Sequence, residues 1–209
     1  MNTKIDMSNE AAQKPERAKG RLRENIEAIA IAIILALFIR TFVVQAFRIP
    51  SGSMEKTLLI GDHILVNKFI YGIKMPFTNK TVIPIGDPDR GDVIVFKYPE
   101  DPKKDFIKRC VAIGGDTVEG KGEKLYVNGE LVQEDYTKFT RNRHEDFGPI
   151  QVPEGKLFTM GDNRDNSHDS RFWGFVDLEA VRGKAFLIHF SWNKQVKNLR
   201  WSRLGDIIR

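Results

Sequence analysis

The chain has 209 residues, 41% of them hydrophobic and 29% charged, with a formal net charge of +5. That is enough apolar material for one medium domain, or a small domain with an insertion, and too much for a chain disordered throughout. Cys110 is the only cysteine, which excludes an intramolecular disulfide and a cysteine-based zinc cluster, so the fold must rest on its core.

The first 24 residues are polar enough to predict disorder, and they carry Lys14, Arg17, Lys19, Arg21 and Arg23. No aromatic residues interleave with these cations, so the stacking surface of a nucleic-acid binder is missing and a membrane explanation fits better. Ala28 to Ile39 then form an unbroken apolar run, and after Arg40 and Thr41 the segment FVVQAF continues it to Phe47. About 20 residues at roughly 1.5 Å each match a hydrocarbon core of about 30 Å. A cleavable signal peptide ending near Val44-Gln45-Ala46 and a buried helix of a soluble domain are the competing readings. The favoured one is a retained anchor over 28–47, behind a cytoplasmic basic tail over 1–27, with 48–209 on the far side by the positive-inside rule. Arg40 requires the helix to end beside it or the guanidinium to reach the far headgroups.

Beyond the anchor, strand signals dominate. Residues 63–73, 92–98, 106–113, 124–132 and 184–190 are short runs rich in Val, Ile, Phe and Tyr, separated by Gly, Pro and Asp. Asn128-Gly129 predicts a tight type I′ hairpin. Residues 77–91 and 134–148 read as loops, and 177–182 as a short helix. The predicted architecture is mostly β and antiparallel.

Three stretches carry chemistry. In IPSGSMEKT, residues 49 to 57, a serine is either a flexible joint or a nucleophile in need of a base. His63, His144 and His189 lie in strand or loop settings, and His168 and its neighbour Asp169 point apart on an extended chain, which disfavours a serine triad. In FIKRCVAIGGDTV, alternation puts Phe106, Lys108, Cys110 and Ala112 on one face and Ile107, Arg109, Val111 and Ile113 on the other. An apolar face lowers a lysine's pKa, so Lys108 is the candidate base; Arg109 stays charged and is predicted to pair with a carboxylate. The third stretch is GDNRDNSHDSRFWGFV, residues 161 to 176. It fails as an EF-hand, lacking glycine at loop position six and glutamate at twelve, and reads as a polar platform tied by Asp and Arg pairs.

With RGDVIVFKYP (90–99) and WSRLG (201–205), these stretches resemble the type I signal peptidases, membrane-anchored serine proteases that remove signal peptides from exported proteins. The resemblance implies Ser53 as nucleophile and Lys108 as general base, with the Ser51 side chain and the Ser53 N–H lining an oxyanion hole. It implies that Ser167 hydrogen-bonds and orients the lysine, that Asp169 and Arg171 form a supporting pair, and that Arg109 is structural. Shallow pockets for Ala-X-Ala sites would involve Phe47, Ile49, Pro50, Met54, Leu58, Phe106 and Ile107. It further implies an antiparallel catalytic domain with a small inserted β subdomain at about 119–159, no metal or cofactor, and partners consisting of signal-peptide-bearing preproteins and a lipid bilayer, with no nucleic acid. The implied home is a bacterial inner membrane. Lys56 departs from the family pattern, where proline is common. A catalytically silent relative should have lost Ser53 or Lys108, and a soluble self-cleaving repressor should lack the anchor and the 161–176 block.

Overall fold

The computed structural model describes residues 14–75, 81–141 and 145–209, with side chains of 14–22, 41, 42 and 74 left aside. Two compact units divide the chain, Met1–Thr41 and Phe42–Arg209.

The first unit is a helix, α1, over Lys14–Phe42. It begins inside the stretch whose polarity predicts disorder, a correction to that expectation; residues 1–13 of the expected tail lie outside the described residues. Residues 23–40 are exposed, and apolar side chains such as Ile29, Ile31, Ile34 and Leu35 lie on every side of the helix. Among the described residues no helix is long and apolar enough to cross a membrane. The apolar run is bounded by Glu24 and Glu27 on one side and Arg40 on the other. The helix stops two residues after Arg40, so the predicted anchor over 28–47 is not one helix: Val44–Arg48 is a strand.

The second unit is mostly β. Its strands are β1 Val44–Arg48, β2 Asp62–Asn67, β3 Ile73–Lys74, β4 Thr81–Ile83, β5 Val93–Tyr98, β6 Asp101–Ile113 and β7 Thr117–Lys121. There follow β8 Lys124–Val127, β9 Glu130–Leu131, β10 Phe147–Gln151, β11 Lys156–Met160, β12 Val176–Asp177, β13 Val181–Asn193 and β14 Asn198–Leu199. The larger sheet is antiparallel in the order β1-β2-β13-β5-β6-β11-β12, with β14 on the end of β13. β2 alternates, turning Ile64 and Val66 inward, whereas β5, a central strand, is buried at five of its six residues. The core beneath β1, β2, β5 and β13 is built from Ile49, Met54, Leu58, Val93, Val95 and Ile188.

Residues 117–151 contribute a second antiparallel sheet, in the order β10-β7-β8-β9. Asn128 at φ 55° and Gly129 at φ 82° make the β8–β9 turn, the left-handed pair that a type I′ hairpin requires. Val118, Leu125 and Val127 of this sheet pack on Val111, Ala112 and Phe158. A bulge at Val111, where Phe158 pairs with Ala112 but the next residue, Thr159, with Cys110, breaks the predicted alternation of β6. Ala112 therefore packs with Val111, while Cys110 and Ile113 join a third cluster around Ile94, Phe96 and Leu157. The helix predicted over 177–182 is not formed: Val176–Asp177 pairs as β12, Leu178–Ala180 makes one 3-10 turn, and Val181 opens β13.

Candidate active site

The loop from Ile49 to Gly61 is closed at its base by two hydrogen bonds, Ile49 N–H to the Asp62 carbonyl at 2.8 Å and Gly61 N–H to the Ile49 carbonyl at 3.0 Å. Met54 and Leu58 plug it into the core, both fully buried, and the Leu58 N–H donates to the Met54 carbonyl at 2.7 Å. Asp62 braces the base. Its carboxylate accepts from the Leu59 N–H at 2.8 Å, Ser191 Oγ at 2.6 Å and Arg203 Nη2 at 2.8 Å. Ser53 sits on this anchored turn with a rigid surface beneath it.

Lys108 reaches the same point from the middle of β6, where it pairs with Ile94 of β5. Its Nζ donates to Ser53 Oγ at 2.8 Å and to the Ile107 carbonyl at 3.0 Å, and lies 5.6 Å from the centroid of the Phe106 ring. The residue is 3% exposed. Burial pushes its amine down to about 8, against an upward pull from Asp169 and Asp162, while Arg171 adds to the lowering. An amine with that value is partly neutral near physiological pH and is able to accept a proton from a hydroxyl at this distance.

The 161–176 stretch forms the floor. Asp169 is fully buried and accepts from the Gly161 N–H at 3.0 Å and from both prongs of Arg171, at 2.8 and 2.9 Å; it also caps the short helix α2, Ser170–Trp173. Arg109, predicted to pair with a carboxylate, forks onto Asp162, which also accepts from Thr57 Oγ1. Gly161 is a close approach: a Cβ there would stand 2.5 Å from the Ser53 carbonyl oxygen and 2.2 Å from Ser167 Oγ. Ser167 itself is buried, and its Oγ has no hydrogen-bond partner; the lysine contact implied for it is absent in this resting arrangement.

A cleft of about 520 Å³ runs past Ser53 and Lys108, walled by Pro50, Ser51, Phe106, Ile107, His168 and Phe172. Ser51 is exposed on its rim. Of the residues implied for the substrate pockets, Pro50, Phe106 and Ile107 line this cleft. Phe47, Ile49, Met54 and Leu58 do not: Ile49, Met54 and Leu58 belong to the core under the loop, where their apolar surface is shielded from water, and the half-buried Phe47 packs against that core. His168 lines the cleft without pairing with Asp169; its ring stacks on Phe172, with centroids 5.2 Å apart. Asp105, Asn163 and Asn166 also belong to the site, and sequence reasoning does not find them. Asn163 had a weak signal, its place in GDN beside Asp162.

The arrangement is that of a serine held against a buried, depressed-pKa lysine in an open cleft, which suits acyl transfer. Among the described residues no cluster of His, Cys, Asp and Glu is arranged to hold a metal ion. Residues 22–192 match the model of the family described as signal peptidase, peptidase S26. The chain is 43% identical to a signal peptidase I of Pseudomonas aeruginosa, over 84% of this chain and 75% of that one. It is 38% identical to that of Aquifex aeolicus, covering 81% and 85% of the two chains, and 37% identical to that of Bacillus licheniformis, covering 87% and 96%. The chain belongs to the signal peptidase family, peptidase S26.

Proposed function

We propose that this signal peptidase works by a Ser53/Lys108 dyad on signal-peptide-bearing preproteins, cutting after Ala-X-Ala sites. The observation that carries the mechanism is the 2.8 Å contact between Lys108 Nζ and Ser53 Oγ, made by a lysine whose burial disfavours its charge. Ser53 Oγ attacks the scissile carbonyl carbon while neutral Lys108 takes its proton. The Ser51 hydroxyl and the Ser53 N–H stabilise the oxyanion, a contribution of about 3–4 kcal/mol per donor. Collapse breaks the C–N bond, the leaving amine takes the proton from Lys108, and an acyl-enzyme remains. Water then gives a proton to Lys108 and attacks the ester, releasing the signal peptide's carboxylate and restoring Ser53. Ser167 is the second contact for the lysine once substrate fills the cleft.

Membrane attachment through α1 is part of the same reading. Its support is the exposed apolar run from Ala28 to Ile39 following a basic stretch, which favours a cytoplasmic N-terminus and a catalytic unit on the far side. Such an anchor needs the residues around Arg40 to reach the far headgroups, because 12 apolar residues span only about 18 Å.

The mechanism is tested with purified enzyme in detergent and a preprotein bearing an Ala-X-Ala site. Ser53→Ala and Lys108→Ala are each expected to abolish cleavage; either at the wild-type rate overturns the dyad. Recovery of the full chain in the soluble fraction of a lysate would overturn the anchor.

A further inference from the structure

Asn163 holds two consecutive peptide groups of the turn that carries Ser53. Its Nδ2 donates to the Gly52 carbonyl at 2.9 Å, and its backbone N–H donates to the Ser53 carbonyl at 3.1 Å. The residue is 2% exposed, and its Oδ1 is buried with no hydrogen-bond partner. The reversed amide would set Oδ1 against the Gly52 carbonyl, acceptor facing acceptor, so the donor end belongs where it lies.

The Gly52 carbonyl and the Ser53 N–H are two ends of one peptide group. That bond is trans, so its N–H points away from its C=O, and holding the oxygen aims the N–H. The Glu55 N–H also donates to the Gly52 oxygen, at 3.2 Å, so the oxygen is gripped from two directions. The tether to the Ser53 carbonyl fixes the next peptide plane. With the planes on both sides of the Ser53 Cα held, the angle between its N–H and its Oγ is set. Asn163 is in turn steadied through Lys138, whose N–H donates to the Asp162 carbonyl at 2.7 Å, whose carbonyl accepts from the Arg164 N–H at 3.0 Å, and whose ammonium pairs with Glu55 at 2.9 Å.

We propose that Asn163 is a positioning residue for the oxyanion hole: by gripping the Gly52–Ser53 peptide it aims the Ser53 N–H at the oxygen that becomes negative when Ser53 attacks. This rests on the reading of Ser53 as the nucleophile. A donor aimed at charge that exists only in the transition state affects kcat and leaves ground-state binding alone. Losing such a donor outright costs about 10²–10³ in kcat, and a donor swung off line costs about 10- to 100-fold.

The test uses the full chain in detergent with Asn163→Leu, which removes the donor, and Asn163→Asp, which replaces it with an acceptor, beside Ser53→Ala. Three ligands are compared: a cleavable peptide, a peptide aldehyde that forms a tetrahedral adduct with a serine nucleophile, and a reduced-amide peptide that has no carbonyl to attack. Both Asn163 variants are expected to lower kcat 10- to 100-fold with KM within about twofold, and to weaken the aldehyde by a similar factor. Reduced-amide affinity should hold. Activity retained in Ser53→Ala sinks the nucleophile reading itself. With Ser53→Ala inactive, an unchanged kcat in both Asn163 variants, or aldehyde affinity falling no more than reduced-amide affinity, overturns the positioning role. Partial unfolding weakens both ligands by the same factor and cancels from the ratio of their affinities, so a variant that melts earlier still decides the matter.

Discussion

Arg109 and Asp162 form a two-pronged ion pair, Nε to Oδ1 at 2.9 Å and Nη2 to Oδ2 at 2.7 Å, in which neither side chain is more than 2% exposed. The guanidinium also donates to the Gly91 and Arg209 carbonyls and lies 3.8 Å from the centroid of the Tyr136 ring. Removing one partner strands the other charge, which costs about 3–5 kcal/mol. Asp162→Leu is therefore expected to lower unfolding stability in urea by that amount. Arg109→Met combined with Asp162→Leu should recover most of it, since no buried charge remains. A single-variant loss below about 1 kcal/mol would contradict the assignment of a buried, dry pair.

Lys108 makes activity and stability depend on pH in a linked way. Cleavage at limiting substrate should rise with pH through a midpoint near about 8, as the amine loses its proton. In the unfolded chain the lysine keeps its proton up to the ordinary 10.5, so between about 8 and 10.5 the unfolded state binds more protons and stability climbs with pH. Below about 8 both states are protonated and the folded one bears the full cost of a buried cation, roughly 3 kcal/mol for a shift of this size. Lys108→Met is expected to be inactive yet more stable than the parent at pH 7, with no such climb. Urea midpoints measured from pH 6 to 10.5 check both; a parent curve that is flat over that window would refute the linkage.

Ser167 presents a buried hydroxyl with no partner. Replacing a hydroxyl that makes no hydrogen bond removes a desolvation cost, so Ser167→Ala should leave stability unchanged or raise it by up to about 1 kcal/mol. If it is the second contact for Lys108 in the occupied cleft, kcat still falls, by about 10- to 100-fold. Thermal melts alongside kcat separate these; a drop in melting temperature with intact kcat would reverse the interpretation.

Gly161 has no room for a side chain. A methyl group there meets the Ser53 carbonyl, which is backbone and cannot rotate away, as well as Ser167 Oγ. Gly161→Ala is expected to shift Ser53 by a few tenths of an ångström or more and lower kcat at least tenfold, with an overpacking cost of about 1–3 kcal/mol in stability. Wild-type turnover in this variant would show that the Ser53 turn tolerates displacement.

The strands rich in Val, Ile, Phe and Tyr are legible because alternation and turn chemistry are local; 92–98 and the Asn128-Gly129 hairpin appear in the fold almost as read. β1 is not legible. FVVQAF has the composition of the helix before it, and what ends that helix is the pairing of Val44–Arg48 with β2, a contact the local pattern does not announce. The same holds for β6, where pairing with β11 inserts a bulge that alternation cannot anticipate. In the site, Ser53 and Lys108 stand out because each is chemically unusual in its setting. Asn163 does not, since an amide in a polar loop reads as a turn residue and its partner Gly52 lies 111 residues away. Met54 and Leu58 are misread for the opposite reason: an apolar residue beside a nucleophile suits a pocket or a core equally, and only packing decides.

The brace at Asp62 also sets an order of birth. Its carboxylate stands nine residues after Ser53, while Ser191 and Arg203, which clamp it, are 129 and 141 residues further along. Synthesis delivers the serine early and its clamp late, and such distant contacts form only after the intervening chain exists. A nascent chain thus carries both Ser53 and Lys108 before it owns the clamp that steadies the base of the Ser53 loop. The Ser53 loop therefore gains its full brace only when the chain near residue 203 has taken its place.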